Sequence, residues 1–274
     1  MDIIKSTLNV GAKKPFVFLH ISDIHFAEAD ESESERRREF AAKRKNHFPF
    51  STEAMSFTEE YVKKTGYPLI NTGDMLDFIT PENLRIAKKF VRNTNMMVAS
   101  GNHEYWYCPN DRFHYDDVPE IYDAKDASLQ KVANALGVDI RFSRREIEGV
   151  NLVCIDNSDY CIDSEIFEKL KEVEAEGKPI LLFMHIPLYS DHIGNGAKYT
   201  LNAPPEYFEG CHPTDVWERT PDELTVEICD YIRNSPLIKC VFSGHIHRNA
   251  EVIGVDKQDQ IITGLNTIRE ITVI

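Results

Sequence analysis

Asp74 is the residue around which the chemistry of this chain can be organised. It lies in Gly73-Asp74-Met75-Leu76-Asp77, just past an apolar run, Tyr67 to Ile70, that reads as a buried strand ending in a turn. Open α/β sheets place their ligands beyond the carboxyl ends of strands. A carboxylate has two oxygens and can hold two cations at once, and two divalent ions about 3.5–4 Å apart need such a bridge. Other segments carry side chains that could complete a cage. These are Asp23 and His25 in Ser22-Asp23-Ile24-His25, Asn102 and His103 in Ser100-Gly101-Asn102-His103-Glu104, His185 before Ile186-Pro187, and His245 and His247 in Ser243-Gly244-His245-Ile246-His247. The expectation is that Asp74 bridges two metals and the remaining segments close the cage around them.

On an extended segment, residues two apart share a face. Asp23 and His25 would then converge on one point, and His245 and His247 could each take one of two neighbouring ions. Asn102 can offer an amide oxygen. His103, next in sequence, would point another way and could handle a proton. Taken singly, each motif has an ordinary structural reading: a turn aspartate, a Gly-Asn turn, a satisfied histidine at a strand end. Recurrence of ligand types at successive strand ends is what favours a metal site.

The elements that must position these groups alternate along the chain. Phe16 to Ile21, Asn95 to Ala99, Pro179 to Met184 and Cys240 to Phe242 read as further buried strands. Arg141–Glu148 and Asn151–Ile155 read as a hairpin, and Glu251 to Ile274 as short closing strands. Ser51 or Thr52 is expected to cap a helix that stops at Gly66. Thr80-Pro81-Glu82 opens another, with a cap, a first-position proline and a first-turn acid. Ala127–Leu136, a helix capped by Asp163 or Ser164, and Pro221–Arg233 complete the helices. Asp156-Asn157-Ser158 could line the site or make the turn into the Asp163 helix, and the turn reading is favoured. Glu28 to Lys45 is a charge block, acidic then basic, with Glu33 and Arg37 at i,i+4 spacing. It reads as a solvated helix or a mobile insertion, and less readily as a source of an arginine for a substrate phosphate. The dense aromatics from Tyr105 to Tyr115 could wall a substrate pocket or pack a loop. Tyr189 to Tyr199 reads as a flexible loop, and Thr200 to Trp217 shows no periodic pattern.

Composition narrows the function classes. The chain has 274 residues, 42% hydrophobic and 28% charged, with a net charge of −14, the balance of a soluble globular protein. The acidic excess argues against nucleic acid as a partner, because such proteins carry basic surface. No leader-like apolar run opens the chain and no stretch is long enough to span a membrane, so a cytoplasmic protein without a membrane partner is expected. The scattered cysteines, without a CxxC pair, suit reduced structural thiols. No linker or repeat interrupts residues 1–274, and one domain is the simplest count. No motif speaks to oligomeric state.

Jointly, DxH, GDxxD, GNHE, a single His after a strand, and GHxH, in that order, resemble the calcineurin-like metallophosphoesterase superfamily. The motifs run from Asp23 to His247, nearly the whole chain. The resemblance implies an α/β fold, a two-sheet β-sandwich flanked by helices in four layers (metallo-dependent phosphatase-like), with the site at the strand ends. It implies that Asp23, His25, Asp74 and His247 hold one metal, and Asp74, Asn102, His185 and His245 the other. His103 matches the family's proton donor or phosphate-contacting histidine, and Asp77 the acid that orients it. The oxygen and imidazole donors suit two divalent or trivalent ions, Mn, Fe or Zn. The implied activity is hydrolysis of a phosphodiester or phosphomonoester, of a small molecule, by a metal-bridging hydroxide. Alternatives on the same fold are a non-catalytic scaffold, a nuclease or a protein phosphatase.

Overall fold

Two groups of apolar runs form two sheets, and the site lies where their strands end. The computed structural model describes residues 1–105, 125–209 and 220–274. The aromatic readings from Trp106 onward and the end of the Thr200–Trp217 segment lie outside these residues. The first sheet contains β1 (Asp2–Leu8), β2 (Phe16–Ile21), β3 (Leu69–Asn71), β4 (Met97–Val98) and β11 (Thr267–Val273). Its order is β1-β11-β2-β3-β4, with β2, β3 and β4 parallel. The second contains β5 (Phe142–Ile147), β6 (Val150–Ile155), β7 (Ile180–Phe183), β8 (Ile238–Ser243), β9 (Ala250–Val252) and β10 (Gln260–Ile262). Its order is β5-β6-β7-β8-β10-β9, with β6, β7, β8 and β10 parallel. Every residue of β6 and β7 is buried, as continuous apolar runs in parallel sheets must be.

The sheets face one another across a core that includes Phe18, Ile70, Leu152, Phe183, Phe242 and Ile271. Phe183 stacks on Phe242 at 4.8 Å, and Phe18 sets its edge toward both rings at 5.5 and 5.3 Å. Helices α2 (Ser51–Thr65), α3 (Pro81–Thr94) and α4 (Lys125–Leu136) cover the outer face of the first sheet through Tyr61, Val62, Phe90, Val91, Leu129 and Val132. Helices α5 (Ser164–Glu174) and α6 (Glu223–Asn234) cover the second through Phe167, Leu170, Ile228 and Ile232. The result is the expected α/β arrangement of helix, sheet, sheet and helix. No helix among the described residues is long and apolar enough to cross a membrane.

Local chemistry explains most boundaries. Thr80 accepts the Asn83 N–H as N-cap of α3, and Asp163 accepts the Ile166 N–H as N-cap of α5. Glu148 and Gly149 both take positive φ, 48° and 83°, the two-residue hairpin turn that matches strand twist. Three expectations need correction. Ser51 does not cap α2: the N-cap is Phe50, without a side-chain cap, and Ser51 Oγ donates to the carbonyls of Phe48 and His25. Strand β1 was not foreseen, because it is an edge strand without a fully buried residue. The Tyr189–Tyr199 segment is ordered as 3-10 turns over Asp191–Tyr199.

His20 of β2 sits between the sheets, its ring nitrogens 2.9 Å from Thr72 Oγ1 and 2.8 Å from Thr263 Oγ1. Burial, with Arg269 nearby, lowers its pKa to about 3. The folded state therefore keeps this imidazole neutral, while the unfolded chain takes up a proton near pH 6.5. The stability it confers is present above that value and falls away as pH drops from 6.5 toward 3. Between pH 7 and 5.5 this one group removes about 1 kcal/mol, or about 2–4 °C of thermal midpoint for a chain of this size. Melting curves in chelator-containing buffer should show that part of the slope vanish in His20→Gln. An unchanged slope would refute the assignment.

Candidate metal centre

Donor atoms from strand ends of both sheets meet around Asp74. His25 Nε2 and His247 Nε2 face each other at 3.0 Å. Asp23 Oδ1 lies 3.8 Å from the first and 3.4 Å from the second. On the other side, His185 Nε2 and His245 Nδ1 lie 3.1 Å apart, and Asn102 Oδ1 is 3.0 and 3.1 Å from them. Asp74 Oδ2 joins both groups, 3.5 Å from His25 Nε2 and 3.2 Å from His185 Nε2. The same oxygen thus serves both sides, and Oδ1 instead accepts the His103 backbone N–H at 2.9 Å. Asp23, His25, Asp74 and His247 form one cluster able to hold an ion, and Asp74, His185 and His245 another.

Three of the four histidines are turned by a partner on the far nitrogen. His25 Nδ1 bonds Asp77 Oδ1 at 3.0 Å, His185 Nδ1 donates to the Thr72 carbonyl at 2.7 Å, and His245 Nε2 meets the Tyr160 hydroxyl at 2.7 Å. These contacts set the tautomer and aim the other nitrogen into the cage.

The backbone here is not extended, contrary to the alternation expected for DxH and GHxH. Asp23, His25, Asp74, His245 and His247 all have left-handed φ, between 51° and 67°. Non-glycine residues seldom adopt this conformation, and such strain concentrates at functional sites. Close approach of two loops makes a further demand. A Cβ on Gly73 would lie 2.6 Å from Gly101 Cα, and one on Gly101 would overlap the Asp74 carboxylate.

Two supports were not foreseen. The fully buried Glu104 accepts the backbone N–H groups of Asp74, Met75, Leu76 and Gly101, at 2.8, 2.9, 3.2 and 2.7 Å. Asn157 does more than make a turn: its Oδ1 accepts the N–H groups of His185 and Ile186. Its neighbour Asp156 takes the Ser100 hydroxyl at 2.5 Å. The turn expectation for Asp156–Ser158 is therefore corrected, because these side chains brace the loops that carry His185 and Asn102. The only sequence hint was their place at a strand's carboxyl end.

With this geometry in view, comparison with known proteins is decisive at one level. The family model described as calcineurin-like phosphoesterase matches residues 16–249. This chain belongs to the calcineurin-like phosphoesterase family. A search of curated proteins finds no significant match. Among solved structures, a dimetal phosphatase from Danio rerio is similar over 91% of this chain and 87% of that one, at 12% identity and a TM-score of 0.52. A phosphopantetheinyl hydrolase from Mycobacterium tuberculosis is similar over 91% and 90%, at 13% identity and a TM-score of 0.46. A purple acid phosphatase from yellow lupin is similar over 92% of this chain but 44% of its own, at 12% identity and a TM-score of 0.48. At 12% identity the likeness to the dimetal phosphatase is one of fold.

In this calcineurin-like phosphoesterase, Asp77 does two jobs. Its carbonyl accepts His103 Nδ1 at 2.6 Å, while its carboxylate lies 3.5 Å from the same nitrogen and closer to His25. The Asp77 carboxylate is also forked by Arg44, from Nε at 2.5 Å and Nη2 at 2.7 Å. The basic half of the 28–45 block thus meets the site through Asp77. Burial raises the Asp77 pKa, but the Arg44 and His25 hydrogen bonds outweigh it and bring it to about 2.

The electrostatics of the cage favour cations. Burial pushes the Asp74 pKa up, but His185 and His103 outweigh it and hold this carboxylate ionised. Asp23 is likewise lowered against burial by hydrogen bonds from His247 and His25. In return, burial lowers His25, but bonds to Asp23 and Asp77 lift it to about 10. His185 is lifted against burial by Asp74 to about 9. Burial, reinforced by His185, depresses His245 to about 3. Buried carboxylates drawing positive charge onto their neighbours is the field a multivalent ion would satisfy. The donor set, oxygen and imidazole without thiolate, fits divalent or trivalent metal ions.

Proposed function

We propose that this chain is a dinuclear metal-dependent hydrolase of a phosphodiester or phosphomonoester, with a small molecule as substrate. The observation that carries the reading is the sharing of Asp74 Oδ2 between two convergent donor groups, with His103 alongside. Asp23, His25, Asp74 and His247 would hold one ion, and Asp74, Asn102, His185 and His245 the other. Two such ions, when bound, supply a water acidic enough to ionise near neutral pH and neutralise the phosphate oxygens.

The chain's own residues do the rest. Asp74 fixes the spacing of the two donor groups. The Asp77 carbonyl holds His103 Nδ1, which leaves Nε2 as the nitrogen for the phosphate or the leaving group. Because Nδ1 donates to that carbonyl, Nε2 must first take up a proton; as the imidazolium, His103 would contact the transferring phosphoryl group and pass that proton to the departing oxygen. No side-chain nucleophile is needed. A cavity of about 230 Å³ adjoins Asp23 and is lined in part by Phe48, Phe50, Leu265 and Asn266. It offers room of small-molecule scale for the organic part of a substrate.

The test is a panel of nucleotides, cyclic nucleotides, sugar phosphates, phospholipid head groups and chromogenic mono- and diesters, assayed with added Mn. Turnover is expected on part of the panel. His103→Ala should cut the rate by about 10²–10⁴, the usual worth of a positioned proton donor, while metal content stays at the wild-type level. A fully metallated wild-type protein inert across the panel would overturn the proposal.

A further inference from the structure

Resting on that reading, we infer that helix α1 (Glu35–His47) is a latch for one of the two metals, acting through Arg44 as a positioning residue. The two donor groups are braced by different parts of the molecule. His185 and His245 lean on Thr72 and Tyr160, and the His185 loop on Asn157. His25 is held instead by the segment from Arg44 to Ser51.

That grip has several parts. Arg44 forks the Asp77 carboxylate, whose Oδ1 in turn bonds His25 Nδ1 at 3.0 Å. The ring of Phe48, which ends α1, stacks on the His25 imidazole at 4.2 Å between centroids and 7° between planes. The same phenyl ring sets an edge contact to His247 at 5.7 Å. The Arg44 guanidinium lies 5.1 Å from the Phe48 ring centroid, so both contacts depend on where this arginine sits. Ser51 Oγ reaches the His25 carbonyl at 3.3 Å.

The helix that delivers this grip buries little of itself. Ala41 is its sole buried residue. Its remaining ties are the ring of Phe40, set edge-on to Phe78 at 5.1 Å, and polar contacts, Arg37 to the Ile79 carbonyl at 2.6 Å and Lys45 to Glu28 at 2.5 Å. Exposed pairs of the latter kind contribute little to stability. A bidentate guanidinium–carboxylate pair fixes direction as well as charge, and partners of a ligating histidine commonly set metal affinity by 10–100-fold. Arg44 therefore orients His25 toward the ion held with Asp23 and His247, and leaves the ion at Asn102, His185 and His245 untouched.

The experiment is Mn titration with equilibrium dialysis and elemental analysis, on wild type, Arg44→Ala and Arg44→Lys. Wild type should bind two Mn per chain. Arg44→Ala should weaken one of the two by about 10–100-fold and leave the other unchanged. Arg44→Lys keeps the charge but loses the fork, and should fall between. Unchanged affinities in Arg44→Ala, or equal weakening of both ions with wild-type circular dichroism and melting, would overturn the inference. If Arg44→Ala fails to fold, Arg44→Lys decides: wild-type affinity at both ions refutes the latch, and selective weakening of one supports it. Wild type binding no Mn would refute the proposed function itself, a result distinct from either.

Discussion

Asp74→Asn is expected to lower phosphoester turnover by at least about a thousandfold, the several kcal/mol that metal-ion catalysis supplies, and to strip metal from both positions. Asparagine is the informative replacement. It tolerates the left-handed backbone that Asp74 adopts, φ 51°, as alanine does not. It also keeps an oxygen for the His103 N–H. What it removes is the negative charge on the one atom near both donor groups, 3.5 Å from His25 Nε2 and 3.2 Å from His185 Nε2. Elsewhere in the cage, loss of a ligand such as His247 should affect one ion more than the other. Loss of the Asp74 charge should affect both, and that symmetry is the signature to look for. Elemental analysis after dialysis, alongside the phosphoester panel, reads both quantities. A variant that keeps two ions and the wild-type rate would end the bridging assignment.

The donor types were legible because coordination chemistry admits few residues. Strand ends were legible because apolar runs stop at Gly, Ser or Pro, as at Gly73 before Asp74 and at Ser243-Gly244 before His245. The direction of each side chain was not. Alternation along a strand predicted that Asp23 and His25 share a face, yet both sit in left-handed turns past the end of β2. They converge by strain rather than by pleat. The charge block likewise allowed a helix or a mobile insertion but did not show that Arg44 ends on Asp77, since composition alone describes any exposed segment. Strand β1 escaped notice because an edge strand, half exposed, has too little burial to leave an apolar run. Each failure has the same origin: the missing information lies in contacts between segments far apart in sequence.

Glu104 is the sharpest instance, and its replacement should have the largest effect on folding. The carboxylate lies beneath two loops that carry ligands, where it accepts four backbone N–H groups, those of Asp74, Met75, Leu76 and Gly101. Glu104→Ala would leave these buried donors without an acceptor, at about 1–3 kcal/mol each where water cannot enter. Even partial relaxation leaves a loss on the order of 4 kcal/mol, a large share of the 5–15 kcal/mol that holds a typical domain. Glu104→Gln tests the cause. Its size matches, but its amide nitrogen would face N–H groups that need an acceptor, so it should rescue at most half of the loss. Denaturant midpoints of the metal-free proteins measure this directly, free of any contribution from bound ions. If glutamine matched glutamate there, the carboxylate would be filling space and not ordering the loops. If both variants fell as expected, weaker Mn binding should accompany them, because the N–H groups released are those that set the backbone turn of Asp74.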